Sequence, residues 1–217
     1  DIAVKQISVG IPMGLQYSIT AIGGMMVQSS LNILGSYAVA AFTAGSKIDN
    51  IFTQAFVALG PTMSTSSALN VGARKLDRVS QGFRCAEVIG CAYDVVVGFV
   101  LFFVGTSFSY LFISDNAEAV IPMVDTYLRC VGMFMIPLYV VNCYRNGFQG
   151  MGYGLLPMLS GVAELIGRGV MAVVAADARS YTMACMASPF AWIVATVLLI
   201  VLYFYVMKDM KRKLCLQ

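Results

Sequence analysis

Six long stretches of mainly apolar residues constrain this chain more than any other feature of its 217-residue sequence. A helix that crosses a membrane needs about 20 consecutive, mostly apolar residues. The stretches lack the alternation of apolar and polar residues that a strand requires, and a spanning strand needs only about ten residues. We therefore predict an all-α membrane protein, a single unit over residues 1–217, with six transmembrane helices at about 7–34, 37–68, 83–108, 119–141, 155–176 and 181–207.

The composition agrees with a membrane protein and excludes several other classes. Charged residues make up 12% of the chain, whereas soluble domains carry about a quarter charged residues. The net charge of +3 includes no basic tract of the kind that binds nucleic acid. The sequence has no histidine, and its six cysteines show no metal-ligand spacing. We therefore predict no metal, no cofactor and no enzymatic activity.

The distribution of basic residues predicts the orientation, because cytoplasmic loops of membrane proteins carry an excess of Lys and Arg. One set of predicted loops and ends contains most of the cations, namely the 74–84 segment, Arg145 and the tail from Lys208 to Lys213. The opposite loops contain few. We therefore expect a multi-pass protein of the cell (inner) membrane with both termini in the cytoplasm.

The second apolar stretch contains four polar side chains, Lys47, Asp49, Asn50 and Gln54. Polar groups inside a span usually face a protein interior or a water-filled cavity and are commonly functional. Lys47 and Asp49 are two residues apart, so they point to different faces of a helix and each needs its own partner. We predict that these residues line a substrate cavity or its gate, with contacts to a neighbouring helix as the alternative.

Five further ionisable residues of the predicted spans are candidates for a functional or structural role. Glu164 and Arg168 are four residues apart and share a helix face, so we expect either a cavity or gating pair or a structural clamp between helices. Asp125 and Arg129 repeat this spacing nearer the outer end of their span, where we expect a structural ion pair. Asp94 is isolated, and we predict either a proton or ion site or a hydrogen bond to a neighbouring Tyr or Ser.

Several short motifs follow one another in a characteristic order. They are Gly10-Ile-Pro-Met-Gly-Leu-Gln16, Lys47-Ile-Asp49, Gly72-Ala-Arg74, Gln149-Gly-Met-Gly152, Glu164-Leu-Ile-Gly-Arg168 and Pro189-Phe-Ala-Trp192. This succession, which covers nearly the whole chain, resembles the multidrug and toxic compound extrusion (MATE) family and is most similar to its DinF-like branch.

The resemblance implies that the chain is the second, C-terminal six-helix lobe of a twelve-helix transporter whose lobes form a parallel repeat. It also implies antiport, in which inward movement of H⁺ or Na⁺ drives expulsion of amphipathic, cationic small molecules by alternating access. The implied partners are membrane lipid and either the missing N-terminal lobe or a second copy of the chain. The alternatives are a lipid-linked precursor flippase of the same superfamily and a non-transporting membrane assembly protein.

The sequence departs from the family pattern where ions are coupled. The first span lacks the carboxylate that Na⁺-coupled relatives place there, and the fourth span has no acid between Arg129 and Arg145. In DinF-like members the proton-coupling aspartates belong to the first lobe, so the resemblance leaves open whether this chain contains any coupling residue. Because residue 1 is Asp rather than Met, we expect a fragment or a processed product.

Overall fold

The computed structural model describes residues 2–110 and 117–215, and every regular element within these ranges is an α-helix. The described ranges contain eight helices, which confirms the all-α prediction. In chain order they are α1 (Ile2–Leu34), α2 (Ser36–Gly72), α3 (Leu76–Phe103), α4 (Gly105–Ser109), α5 (Ala117–Gly132), α6 (Met135–Gly150), α7 (Leu155–Asp177) and α8 (Tyr181–Cys215).

Three helices of the described chain, α3, α7 and α8, are long and apolar enough to cross a membrane. A fourth span results if α5 and α6, which meet at an angle of 52°, are taken together. Helices α1 and α2 are continuous and 33 and 37 residues long, but glycine, glutamine and hydroxyl side chains interrupt their apolar sequences, and neither is among these three helices. The predicted number of six spans is therefore not confirmed, although this arrangement of eight helices is consistent with one MATE-type lobe.

Helices α5 and α6 divide the predicted fourth span. Pro137 has no N–H, so it cannot donate the helical hydrogen bond to the carbonyl group of Met133 four residues earlier. The helix breaks at residues 133–134, and the Pro137 carbonyl oxygen accepts a hydrogen bond from Thr196 Oγ1 at 3.0 Å. Helix α6 then continues to Gly150, beyond the predicted end of the span at residue 141.

The helices form two groups that meet along a seam. In the first group α1 and α8 pack extensively against α7, and in the second α2 packs against α5 and α6 while α3 packs against α6. Contacts between α1 and α2 and between α6 and α7, which border the seam, are sparser, whereas α8 also packs against α5 and α6 and so joins the two groups. Gly35 alone links α1 to α2, and its φ of 104° is a conformation that favours glycine. The largest buried side chains of the second group are Phe56, Phe83, Tyr139 and Phe148.

Many large apolar side chains of the lobe are exposed. On α3 and α8 they form extended apolar surfaces that include Val95, Val96, Phe99, Val197, Val201 and Phe204. A soluble monomer rarely exposes contiguous apolar surface on this scale. Exposure of these residues is the arrangement expected where helices contact lipid.

The turn between α6 and α7 is tied to the end of α8. Tyr153 Oη donates a hydrogen bond to Asp209 Oδ2 at 2.5 Å, and Lys213 Nζ lies 2.6 Å from the same oxygen.

We expect Tyr153→Phe to loosen the turn between α6 and α7 because phenylalanine lacks the hydroxyl donor. A spin label at the exposed Leu155 should become more mobile, with little change in thermal stability, because surface contacts of this kind contribute little. Equal label mobility in both proteins would contradict this tie.

Candidate functional site

A cavity of about 400 Å³ lies along the seam between α1, α2, α6 and α7, and Trp192 of α8 forms part of its wall. Apolar side chains line one portion of it, including Met13, Val57, Leu138 and Val141. The polar portion of the lining contains three charged side chains, Arg145, Glu164 and Arg168. Its uncharged polar side chains are Gln16, Tyr17, Thr20, Asn142, Asn146 and Gln149.

Helix periodicity explains why α6 contributes four polar residues to this cavity. Asn142, Arg145, Asn146 and Gln149 are separated by three, one and three positions, so they lie on one face of α6. The earlier assignment of Arg145 to a cytoplasmic loop is wrong, because α6 extends through that position and its side chain is only 11% exposed. The cavity therefore contains a cation that the apolar pattern places outside the membrane.

Glu164 lies between two arginine side chains. Arg145 Nη2 is 3.1 Å from Glu164 Oε1, and Arg168 Nη2 is 3.7 Å from Glu164 Oε2. The side chains of the three residues are only 3%, 11% and 12% exposed, for Glu164, Arg145 and Arg168 respectively. The cluster contains two cations and one carboxylate, so it has a net charge of +1. The predicted Glu164–Arg168 pair is thus present, but it is part of a larger group.

Hydrogen bonds fix the two guanidinium groups in place. Arg145 Nε donates to Ser160 Oγ at 2.7 Å, and Ser160 Oγ in turn donates to the Pro157 carbonyl oxygen at 2.7 Å. Arg168 Nη1 donates to the carbonyl oxygen of Thr20 on α1 at 3.3 Å. The orientation of both cations is therefore set by the helices around them.

Two sets of polar contacts cross the seam. Arg145 of α6 contacts both Ser160 and Glu164 of α7, and Gln149 Nε2 of α6 donates to Gln16 Oε1 of α1 at 3.4 Å. Gln16 is only 6% exposed. Packing is sparse where α6 meets α1 and α7, so these side chains carry much of the specific contact along the seam, whereas α8 joins the two groups through its packing against α5 and α6.

Three of the residues predicted to line a cavity or its gate lie on the outer surface of the lobe rather than in the cavity at the seam. Lys47, Asn50 and Gln54 are exposed and share one face of α2. The same face continues to Val57 and Pro61, which line the cavity. This stripe of α2 therefore leads from the surface of the lobe to the cavity at the seam.

Asp49 and Asp94 are buried away from the cavity. Asp49 is 8% exposed and Asp94 is 2% exposed. Asp49 Oδ1 and both carboxylate oxygens of Asp94 accept no hydrogen bond from a described residue. Asp94 therefore lacks the predicted hydrogen bond to a Tyr or Ser within the described chain. Together with Met135 it lines a separate, mainly apolar groove. Within residues 2–110 and 117–215, no three acidic or cysteine side chains converge on a metal site.

Asp125 and Arg129 form a partly exposed pair at the predicted spacing. Arg129 Nε lies 2.7 Å from Asp125 Oδ2, with side-chain exposures of 49% for Arg129 and 23% for Asp125. The Arg129 guanidinium also lies over the ring of Phe102, 5.0 Å from its centroid. These contacts fit a structural pair, since the two residues do not line the cavity at the seam.

Comparisons with known proteins agree on one family. Residues 12–174 match the model of the MatE family. The chain is 26% identical over 153 residues to the "Probable multidrug resistance protein YpnP" of Bacillus subtilis (strain 168), a match that covers 70% of this chain and 34% of that protein.

Solved structures share the fold at low sequence identity. An outward-facing multidrug resistance MATE family transporter of the MOP superfamily aligns with a TM-score of 0.89 and 16% identity, over 94% of this chain and 46% of that one. A MOP superfamily transporter from Pyrococcus furiosus, described as having a binding pocket of reverse polarity, aligns with a TM-score of 0.89 and 17% identity, over 96% of this chain and 47% of that one.

The chain spans about half the length of these solved relatives and about a third of the curated one. The match to the family model covers well over half of the 217 residues. The chain therefore belongs to the MatE, or multidrug and toxic compound extrusion, family.

Proposed function

We propose that this chain is the C-terminal lobe of a DinF-like antiporter in the cell (inner) membrane, with both termini in the cytoplasm. The whole transporter expels amphipathic compounds by alternating access, driven by H⁺ or Na⁺. The observation that carries the proposal is the polar cavity at the seam, because buried charged side chains are costly inside a membrane and commonly mark a functional site.

The contacts across the seam serve as the gate of this lobe. Opening the seam separates Arg145 from Glu164 and Gln149 from Gln16, and closing it restores both contacts. Two discrete arrangements of packed helices are the usual physical basis of such a transition. A substrate that interacts with these side chains in only one arrangement shifts the equilibrium between the two.

The exposed stripe of α2 faces the other lobe in this proposal. Lys47, Asn50 and Gln54 are polar, and lipid contact is unfavourable for all three. A partner surface or a water-filled cleft between lobes satisfies them. The N-terminal lobe is the partner we favour, because the solved relatives are about twice as long as this chain. A second copy of the chain is the alternative.

Asp49 and Asp94 are the sites we propose for the coupling ion. Both carboxylates are buried, and oxygens of both lack a hydrogen-bond donor among the described residues. Intramembrane carboxylates of this kind commonly take part in proton or ion pathways. Asp94 has two such oxygens and Asp49 has one, so Asp94 is the stronger candidate.

A flippase for a lipid-linked precursor is the second candidate function. The net charge of +1 on the Arg145–Glu164–Arg168 cluster favours it, because the headgroup of such a precursor is anionic. The two functions differ in what is moved: a flippase transfers a lipid between leaflets, whereas an efflux antiporter expels a free amphiphile against an ion gradient.

Transport in membrane vesicles that contain the native protein tests the proposal. With an imposed H⁺ or Na⁺ gradient, we expect an amphipathic probe, either the cation ethidium or the anion 11-(dansylamino)undecanoate, to be moved against its own gradient. Gln149→Ala and Lys47→Ala should lose most of this transport while inserting normally, because they change the gate and the stripe. Arg129→Gln is the matched control, since it removes a charge that lies outside both the gate and the stripe of α2. Absence of gradient-driven movement in the unaltered protein would favour an assembly role.

A further inference from the structure

We propose that the cavity at the seam is an anion-binding site that holds the carboxylate or phosphate group of an amphiphile between Arg145 and Arg168. As a statement about what is transported, this inference rests on the proposed function. As a statement about binding, it stands on the geometry of this lobe.

The charges of the lining residues favour an anion. Arg145 and Arg168 share the single carboxylate of Glu164, and the other polar lining residues are uncharged. A buried charge without a counter-ion is strongly unfavourable in a membrane. One bound oxyanion neutralises the remaining positive charge. A cationic amphiphile, which the family resemblance predicts, meets no unpaired carboxylate among these lining residues.

Unused hydrogen-bond donors point to the same class of ligand. A guanidinium group has five N–H donors and no acceptor. Arg168 Nε makes no hydrogen bond to a described residue, and Arg145 Nη2, which has two N–H donors, has one carboxylate oxygen beside it, Glu164 Oε1 at 3.1 Å. Carboxylate and phosphate oxygens match guanidinium donors in geometry and often accept two such bonds.

The cavity is also organised before any ligand arrives. Ser160 and the Thr20 carbonyl hold the two guanidinium groups, so these side chains lose little conformational freedom when a ligand binds. Met13, Val57, Leu138, Val141 and Trp192 supply an apolar wall beside the charged cluster. A ligand with an acidic head and a hydrocarbon body fits both portions. A cavity of about 400 Å³ lies within the usual range for small-molecule sites.

A pair of fluorescent probes that differ only in charge tests the site. The native protein, in nanodiscs of phosphatidylcholine, is titrated with 11-(dansylamino)undecanoate and with its methyl ester, and empty nanodiscs give the background. We expect saturable binding of the acid, with the ester bound about tenfold or more weakly, a difference of about 1.4 kcal/mol.

Arginine variants locate the binding of the acid. Arg145→Gln and Arg168→Gln should weaken acid binding about tenfold or more and leave the ester unchanged, whereas Arg145→Lys should retain part of it because the charge remains. Arg129→Gln, which removes a cation outside the cavity, should bind the acid normally. Equal binding of acid and ester by the unaltered protein overturns the proposal without any variant, so it is decided even if Arg145→Gln fails to fold.

The remaining outcomes identify the source of the anion and separate this inference from the transport proposal. Displacement of the probe by phosphatidylglycerol in the nanodisc supports a lipid phosphate as occupant, and the absence of displacement supports a free acid. Acid binding without transport of any probe supports the anion site and contradicts the transporter. Transport that persists with no preference for the acid overturns the anion site alone.

Discussion

Glu164→Gln is expected to destabilise the lobe by about 3 kcal/mol or more, because it removes the carboxylate of a buried ion pair and leaves the cationic partners uncompensated. Glutamine has nearly the same shape as glutamate but carries no charge. Arg145 and Arg168, with side chains only 11% and 12% exposed, would then face each other across the cavity without a counter-ion. The hydrogen bonds of Arg145 to Ser160 and of Arg168 to Thr20 remain but do not neutralise either cation.

Thermal unfolding of the detergent-solubilised protein measures this effect, and Trp192, the only tryptophan, reports from the cavity wall. Asp125→Asn is the matched control: it removes the carboxylate of a partly exposed pair, which should cost about 1 kcal/mol or less. The double variant Glu164→Gln/Arg145→Gln should be less destabilised than Glu164→Gln, because one unpaired cation is removed. Equal losses in Glu164→Gln and Asp125→Asn would show that the cluster contributes no special stability.

Gly150→Ala is expected to cost about 2–3 kcal/mol, because the added methyl group meets backbone atoms. A Cβ atom at Gly150 would lie 2.0 Å from the carbonyl oxygen of Ser64 and 2.7 Å from its carbonyl carbon and Cα atoms. No change of side-chain rotamer relieves this contact, so α6 and α2 must move apart. Gln149, which contacts Gln16 across the seam, is the neighbouring residue.

Gly24→Ala provides the comparison for Gly150→Ala in the same thermal unfolding measurement. A Cβ atom at Gly24 would meet nothing within 4 Å, and alanine favours a helix by up to about 1 kcal/mol over glycine. We expect this variant to unfold at or slightly above the temperature of the unaltered protein. If Gly150→Ala unfolds at that temperature too, the close contact between α2 and α6 is not present in the protein.

The long apolar stretches predict much of the helix arrangement. The predicted first stretch and α1 both end at residue 34, and the predicted fifth stretch, 155–176, nearly equals α7 (Leu155–Asp177). Glycine or short polar turns mark these ends in the sequence. The fourth stretch differs because Pro137 breaks the helix inside it, while α6 continues through polar residues that end the apolar pattern.

Arg145 shows why one of the three residues of the charged cluster was missed. A cation that follows an apolar run is usually a loop residue at the membrane surface. That rule places Arg145 in a loop, although the spacing of the polar residues around it indicates a helix. The residues Asn142, Arg145, Asn146 and Gln149 have the spacing of one helix face. Glu164 and Arg168 were found because they interrupt an apolar run, whereas the α6 residues follow one. The helical spacing of polar residues is thus the more informative pattern at the end of a span.

The positions of Lys47 and Asp49 illustrate a limit of periodicity. Their spacing correctly predicts that they point to different faces of α2, with Lys47 exposed and Asp49 buried. Which face meets the interior of the lobe depends on how α2 packs against α5 and α6. Those contacts join residues far apart in the chain, and the pattern of one helix does not encode them.

Labelling of a single cysteine at Tyr17 tests whether the cavity at the seam belongs to a transport pathway. Tyr17 lines the cavity and is 62% exposed, so Tyr17→Cys, with the native cysteines replaced, offers a reactive group at its entrance. Val201→Cys, exposed on the apolar surface of α8, is the control that a water-soluble maleimide should not reach. Alternating access predicts that the Tyr17→Cys thiol in the native protein reacts from the cytoplasmic side under one ion gradient and from the outer side under the reversed gradient. Reaction from one side only, whatever the gradient, would contradict a role of this cavity in transport.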